Sequence, residues 1–314
     1  MLLIGSLELG LLYSIMVMGI YISFRILNIP DLTTEGSFTF GLAVSAMLCF
    51  IGHPILALPA AIVVGALSGA VTGLLHTRLH IHPVLTGILT MSALYSINTM
   101  VLGGTPNLSL IGKDTIFSML QKAFPSINKE ASRTILAVLL VLICFSLLSV
   151  FFRTRLGLCI RAVGDNTDMV TASSINVDLT EIIALAISNG LIGLSGGVMA
   201  QYQSFADINS GSGILVVGLA SVIIGETLTG RHSVTVGFAS AVLGSVVYRY
   251  IVALATSTSI FPAYWLKMVS SLIVIAALAV PVIKENMAFS KIKKEADSKT
   301  ELLGEQKPEN NASV

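Results

Sequence analysis

Residues 54–75 read PILALPAAIVVGALSGAVTGLL, an apolar stretch without a charged side chain. An α-helix needs about 20 mainly apolar residues to cross the hydrocarbon core of a bilayer. The stretch therefore predicts a transmembrane helix. Gly65, Gly69 and Gly73 recur at every fourth residue on one face of that helix. Small residues let helices approach closely in lipid, so this face predicts packing inside a bundle or, alternatively, a dimer seam.

Apolar stretches of the same kind occur along most of the chain. They lie near residues 3–24, 38–52, 84–102, 134–152, 182–200, 213–224, 234–254 and 264–283. Those at 38–52 and 213–224 are short for a full crossing. The predicted fold is all-α: a polytopic transmembrane helical bundle of about nine spans, within a range of about eight to ten, in two pseudo-repeated halves with broken helices.

Composition supports a protein that lies in lipid. Hydrophobic residues make up 54% of the chain and charged residues 11%, with a mean hydropathy of +0.88. A soluble domain carries about 25% charged residues, so this chain has too little polar surface to face water. The net charge of +1 also argues against a nucleic-acid partner. Residues 1–283 are predicted to form the membrane domain, and the charge-rich residues 284–314 a disordered tail.

Basic residues predict which side of the membrane each loop faces, because Lys and Arg in short loops favour the cytoplasm. Arg78, Arg231 and the six Lys of the tail lie in three loops that share one side if nine spans are present. The fourth loop on that side, 153–180, holds three arginines. These loops and the C-terminus are therefore predicted to be cytoplasmic, and loop 103–133 to lie on the opposite side.

Two polar interruptions precede the two short apolar stretches. The first is RILNIPDLTTEGSFTFGLAV at 25–44, and the second is SFADINSGSGILVVGLAS at 204–221. Each has an acidic residue, a glycine-bearing break and then an apolar restart containing Gly-Leu-Ala. Paired interruptions of this kind point to internal repeats around a central transport site; the alternative is two ordinary interfacial loops. The predicted translocation-path residues are Asp31, Thr34, Glu35, Gly36, Asp207, Asn209, Ser210 and Gly211.

A loop motif gives the chain a family resemblance. Residues 154–177, TRLGLCIRAVGDNTDMVTASSINV, resemble the cytoplasmic loop of permeases in the branched-chain amino acid and ribose class of bacterial ABC importers. Segments 30–41, 188–202 and 213–226 are also similar to that family, over roughly residues 8–283. The chain departs from the pattern at Ser174, where the family has glycine, the residue favoured at positive φ.

The resemblance implies partners. It implies a second permease copy, forming a homodimer, two cytoplasmic ATP-binding subunits and an extracytoplasmic substrate-binding lipoprotein. Loop 154–177 would couple this chain to the ATPases, and its small residues Ala162 and Gly164 would leave room for the partner surface. The alternative is a solvated loop that only obeys the positive-inside rule. The predicted ATPase-coupling residues are Gly157, Arg161, Ala162, Gly164, Asp165, Asn166 and Asp168.

The same resemblance suggests the transported solute. The PDLTTEGSF motif at 30–38 resembles the subgroup whose binding proteins take amino acids, branched-chain or aromatic ones included. Pentose sugars and nucleosides are alternative substrates. A different class, the ion-coupled secondary transporter, is a further alternative, because intramembrane carboxylates often bind coupling ions. Its candidate residues are Asp31, Glu35, Asp207 and Glu226.

Catalytic chemistry is not predicted in this chain. The nearest match to a phosphate-binding loop, GETLTGRH at 225–232, has Arg231 where the lysine belongs and His232 in place of the hydroxyl. ATPase activity is therefore expected in a separate subunit. His76, His80 and His82 cluster in sequence, but their spacing is poor ligand geometry for a metal. We expect no catalytic residue, no metal site and no cofactor.

Overall fold

The computed structural model describes residues 2–125, 128–230 and 233–257, together with residues 268, 271, 272, 274, 275 and 279. These residues are almost entirely α-helical. The helices are α1 Leu2–Tyr21, α2 Thr34–Ile51, α3 Pro54–Leu79, α4 Pro83–Val101, α5 Ile116–Ala123, α6 Lys129–Phe151, α7 Arg155–Asp165, α8 Thr167–Ala172, α9 Val177–Gln203, α10 Ile214–Thr229 and α11 Val234–Ser257. A π-helical turn, Ile22–Ile26, continues α1, and two short strands, β1 Asn107–Ser109 and β2 Phe205–Asp207, pair antiparallel.

Seven of the described helices are long and apolar enough to cross a membrane, and α10 is a shorter apolar helix. The prediction of an all-α polytopic bundle is confirmed. Most of the predicted span 264–283 lies outside the described residues, and so do all of the tail 284–314 and Arg231. The count of nine spans therefore stays a prediction.

Several helices extend beyond the apolar stretches that predicted them. Helix α2 begins at Thr34 rather than near residue 38, and α9 runs from Val177 to Gln203 rather than over 182–200. The added polar residues find partners inside the protein: the Thr34 hydroxyl donates to Asp31 O at 2.9 Å, and Gln201 Nε2 donates to Pro54 O at 3.1 Å. A helix predicted from apolar composition alone is too short wherever the polar residues near its ends are hydrogen-bonded in this way.

Helix α9 lies at the centre of the bundle, and most of its residues are buried. It packs most extensively on α3, where the predicted glycine face meets it. A Cβ on Gly69 would collide with Leu185 O, and one on Gly65 would collide with Asn189 O. The glycine series of α3 therefore serves the packing of the bundle, as small residues do between helices in lipid.

Gly69→Ala is expected to lower the stability of the bundle by about 1–3 kcal/mol, the usual cost of overpacking a tight core. The physical reason is the collision of the new methyl group with the backbone of α9. Thermal unfolding of the purified protein in detergent measures the effect. Gly5→Ala in α1 is the matched control, because no atom lies within 4 Å of a Cβ built there. Equal midpoints for the two variants would contradict this packing.

The bundle has two distinct ends. At the strand end, β1 and β2 pair, and Leu110 N–H donates to Ser204 O at 2.9 Å. The opposite end carries α7 and α8, and we call it the α7 end. There, Asn28 Nδ2 donates to Gly164 O at 2.9 Å. Nε2 of His76 in α3 lies 3.8 Å from Oε2 of Glu181 in α9. The α7 end therefore gathers Arg78, at the end of α3, with the arginines of α7.

Candidate functional site

The two polar interruptions meet in space. Residues 27–33 separate the π-helical turn from α2, and residues 204–213 separate α9 from α10. Gly213 N–H donates to Glu35 Oε1 at 2.9 Å, and a Cβ on Gly211 would collide with Glu35 O. The first turns of α2 and α10 therefore lie side by side.

The second interruption satisfies its own backbone. Asp207 Oδ1 accepts the Asn209 N–H at 2.7 Å, and Ser212 N–H donates to Asn209 O at 3.0 Å. Gly213 precedes α10 at φ 80°, a left-handed conformation that glycine adopts without a steric penalty. Irregular backbone is tolerated at membrane depth only where protein or a cavity satisfies it, and this segment fits that condition.

A cavity of about 480 Å³ lies where the interruptions meet. Its lining residues come from α2, α4 and the second interruption: Glu35, Gly36, Thr39, Met91, Ser92, Tyr95, Asn98, Ile208, Asn209, Gly211 and Ser212. Four of the predicted translocation-path residues are among them, namely Glu35, Gly36, Asn209 and Gly211. The contribution of α4 was missed, although its polar residues at positions 92, 95 and 98 follow a helical spacing that marks one face.

The other predicted path residues do not line this cavity. Asp31 is 3% exposed; its Oδ2 accepts from Asn189 Nδ2 at 2.6 Å and its Oδ1 from the Thr33 N–H at 2.9 Å. The buried Thr34 hydroxyl is committed to Asp31 O. Asp207 and Ser210 belong to the turn beside the cavity, where they hold its backbone together. In the structure these residues shape the interruptions rather than face the open space.

The predicted coupling segment folds into two short helices. Asn166 Oδ1 accepts the Met169 N–H at 3.0 Å and so caps α8. Gly164 does not leave room for a partner, because a Cβ there would collide with Ile26 O of the same chain. A Cβ on Gly157 would likewise collide with the backbone of Phe152 in the same chain. The expectation that Gly164 receives a partner surface is therefore wrong: its small size lets α7 dock on the π-helical turn.

The outward side of this segment is both charged and apolar. Arg161, Asp165, Asn166 and Asp168 are exposed. Leu156, Leu158 and Met169 are exposed by 51%, 51% and 62%, and sequence reasoning missed them. Ser174 adopts φ 58°, so the left-handed turn is kept although serine replaces the glycine of the resembling family.

An ion pair lies beneath α7. Arg25 Nη2 and Glu226 Oε2 are 2.5 Å apart, joining the π-helical turn to α10. They line a cavity of about 310 Å³ together with Arg161 and Asp165 of α7. Glu226, a candidate for ion coupling on sequence grounds, is thus paired with a cation. Helix α10 begins at the cavity of about 480 Å³. Its other end, which carries Glu226, lies beside α7, the predicted coupling helix.

Comparisons with known proteins agree on one family. Residues 2–278 match the family model described as the branched-chain amino acid transport system permease component. The chain is 38% identical over 271 residues to the tyrosine transport system permease protein of Clostridioides difficile (strain R20291), covering 86% of this chain and 88% of that protein.

More distant relatives differ in the solute that their names give. The probable branched-chain amino acid transport permease protein LivH of Methanocaldococcus jannaschii is 26% identical, over 89% of this chain and 90% of that protein. The galactose/methyl galactoside import permease protein MglC of Escherichia coli (strain K12) is 25% identical, over 70% of this chain and 65% of that protein. No solved structure matches the chain.

Proposed function

Because this chain belongs to the family of branched-chain amino acid transport permeases, a family of ABC importer subunits, we propose that it forms the translocation path for an amino acid. The observation that carries the proposal is the cavity of about 480 Å³ at the junction of the two interruptions. Broken helices that meet around a cavity are a common construction of the transport site in membrane transporters.

A second permease copy would complete the path. Ser92 and Tyr95 line the cavity, yet both are exposed on the outer face of α4, Tyr95 by 56%. Polar side chains in the middle of a membrane helix normally face protein or a water-filled cavity rather than lipid. A homodimer that covers this face of α4 would enclose the cavity between its two chains.

The α7 end would face the cytoplasm of a bacterial cell, with the C-terminus on the same side. Arg78 and the arginines of α7 gather there, and Lys and Arg favour the cytoplasmic side of a membrane. The opposite, strand end would then receive the substrate-binding lipoprotein. The cavity would be reached from that end during import.

Helices α7 and α8 would dock on the two ATP-binding subunits. Their outward surface combines Arg161, Asp165 and Asp168 with the exposed apolar side chains Leu156 and Met169. Apolar contacts bordered by charges are typical of specific protein interfaces. A movement of α7 would be transmitted to α10 through the Arg25–Glu226 ion pair, because Glu226 belongs to α10 and the pair lies beside α7.

The solute is proposed to be an amino acid of the aromatic kind. The relative at 38% identity is named for tyrosine transport, whereas the relative named for galactosides is only 25% identical. The cavity also provides an aromatic surface, Tyr95, beside a carboxylate, Glu35.

Reconstitution into liposomes tests the function. The permease is purified with the ATP-binding subunits and the substrate-binding lipoprotein of the same transporter, and uptake of L-tyrosine and D-galactose is measured. We expect uptake of L-tyrosine that requires ATP and the lipoprotein. ATPase subunits that bind but do not hydrolyse ATP are the matched control. Uptake that persists without ATP and collapses with a proton or sodium gradient would favour the ion-coupled alternative and overturn the proposal.

A further inference from the structure

A cavity of about 490 Å³ lies at the strand end, between α5, the start of α6 and the end of α9. Four of the residues that line it are basic, namely Lys113, Lys122, Lys129 and Arg133, and among the described lining residues none is acidic. We call this cavity the basic recess. Walls of low dielectric strengthen the field inside a cleft lined by one sign of charge, so the basic recess attracts anions.

The nearby carboxylates leave most of this charge unpaired. Asp114 Oδ1 lies 2.5 Å from Lys122 Nζ, and this ion pair involves only one of the four cations. Glu130 is exposed at the start of α6 and forms no ion pair with a described residue. The carboxylate of buried Glu8 accepts hydrogen bonds from two hydroxyl groups, at 2.9 and 2.7 Å. Three cations of the recess therefore have no ion pair within the part of the chain that the structure describes: Lys113, Lys129 and Arg133.

Two of these three cations are held by aromatic rings. Lys113 Nζ lies 4.3 Å from the centroid of the Phe50 ring, and Arg133 Cζ lies 5.5 Å from that of the Tyr202 ring. A ring without formal charge attracts a cation through its quadrupole, so the contact fixes the position of the cation and leaves its formal charge in place. An arrangement that positions cations without neutralising them suits an anionic ligand.

The basic recess opens at the depth where lipid headgroups lie. Lys129 is the first residue of α6, and from Ile135 onward the outward face of this helix is apolar and exposed. In the segment before α6, Ile111 and Phe124 are exposed by 85% and 55%. Basic residues beside exposed apolar ones are typical of a segment that lies in the membrane interface. Phospholipid headgroups are therefore within reach of the recess.

The positive-inside rule does not account for these cations. The α7 end is proposed to face the cytoplasm, so the basic recess lies on the side where Lys and Arg in short loops are expected to be few. A phosphodiester headgroup has what the recess lacks, a negative charge and acceptor oxygens, and charge-assisted hydrogen bonds to phosphate are among the stronger ones. Basic pockets between membrane helices are known to bind anionic headgroups.

We propose that Lys113, Lys129 and Arg133 bind the phosphate of an anionic phospholipid at the strand end. The concave shape and the exposed apolar side chains beside it favour a lipid over a water-soluble partner. The bound headgroup joins α5 and α6 to Ser204, which also lines the recess and begins the second interruption. This proposal goes beyond the proposed function, and its test does not require uptake. Free phosphate has the same chemistry, and an acidic surface of the binding lipoprotein is a different occupant, so the test separates all three.

Crosslinking in nanodiscs tests the proposal. The assembled transporter is placed in phosphatidylcholine that contains an increasing fraction of phosphatidylglycerol with a photoactivatable group near its glycerol. Crosslinking to peptides from residues 107–133 is measured by mass spectrometry. We expect it to saturate, and an equally modified phosphatidylcholine to give at least tenfold less product. Lys129→Gln should raise the half-saturating fraction of phosphatidylglycerol about fivefold, because each basic residue near anionic lipid contributes about that factor.

The variants are chosen so that misfolding does not imitate the effect. Lys129→Gln breaks no ion pair or ring contact of the described residues. Its combination with Arg133→Gln should raise the half-saturating fraction about 25-fold. Arg78→Gln is the matched control, because it removes the same charge from an exposed position at the α7 end and should leave the crosslinking unchanged. Equal half-saturation in the double variant and the parent would overturn the proposal.

Two further arms identify the source of the anion. Inorganic phosphate should not compete with crosslinking when it is compared with chloride at the same ionic strength; competition would assign the basic recess to a free ion instead. In nanodiscs of phosphatidylcholine alone, the parent and the double variant should bind the lipoprotein of the same transporter equally. Weaker lipoprotein binding by the double variant, together with unchanged crosslinking, would assign the recess to the lipoprotein and overturn the lipid proposal.

Discussion

Arg161→Ala is expected to abolish ATP-driven uptake while leaving the permease folded in the membrane. Arg161 is exposed on α7 and has no ion pair with any other described residue. Arginine in an interface makes paired hydrogen bonds to carboxylates, and truncating one partner of a buried charge contact costs about 2–5 kcal/mol. The ATP-binding subunits should therefore associate roughly 30-fold more weakly or worse. Co-purification of these subunits and uptake in liposomes measure the effect.

Two further variants make this test specific. Arg161→Lys keeps the charge but loses the planar fork, so it should give an intermediate loss. Arg78→Ala removes an exposed arginine from the same end of the bundle, outside α7 and α8, and should leave both readouts unchanged. Gly164→Leu is unsuitable as a probe of docking, because it would disturb the packing of α7 on Ile26. If Arg161→Ala retains bound ATPase and normal uptake, the coupling assignment is wrong.

Asp31→Ala is expected to cause a large loss of stability. The buried Asp31 carboxylate accepts from both Asn189 Nδ2 and the Thr33 N–H, so it ties the first interruption to the central helix α9. Alanine would leave both donors buried and unpaired, at a cost of about 1–3 kcal/mol for each. We expect a much lower yield of monodisperse protein and a lower thermal midpoint in detergent. Uptake should be lost with the fold.

The second interruption provides the control for this prediction. Asp207 is only partly buried, and its carboxylate accepts the Asn209 N–H of its own turn without tying it to another helix. Asp207→Ala should therefore cost less than Asp31→Ala. Asp31→Asn keeps one acceptor oxygen, so its loss of stability should lie between those of Asp207→Ala and Asp31→Ala. A midpoint for Asp31→Ala equal to that of the parent would show that Asp31 does not organise the interruption.

The apolar stretches were sufficient to predict the membrane fold, because about twenty mainly apolar residues are the length that a helix needs to cross a bilayer, and a helix satisfies its own backbone there. They located the membrane-spanning helices among the described residues but made several of them too short. At Gln201, for example, the polar side chain remains in the helix because its partners, Ser45 Oγ and Pro54 O, come from distant parts of the chain. The local composition of the sequence does not show which distant residues will accept these hydrogen bonds.

The site was predicted only in part. The interruptions were visible as breaks in hydrophobicity, and their pairing suggested a common centre. The sequence did not distinguish Glu35, which lines the cavity, from Asp31 four residues earlier, which is buried against Asn189. Both are acidic residues in the same break, and the difference lies in the direction in which the backbone presents them as α2 begins.

The sequence by itself determined that the chain is a multi-pass membrane protein, that two polar interruptions precede its shorter helices, and that its 154–177 motif is that of an importer permease. These properties depend on local composition and short motifs. Only the tertiary structure decided that α4 completes the central cavity, that Gly164 serves packing within the chain, and that Glu226 pairs with Arg25. Each of these depends on contacts between helices far apart in sequence, and close packing, not local preference, determines which side chains meet there.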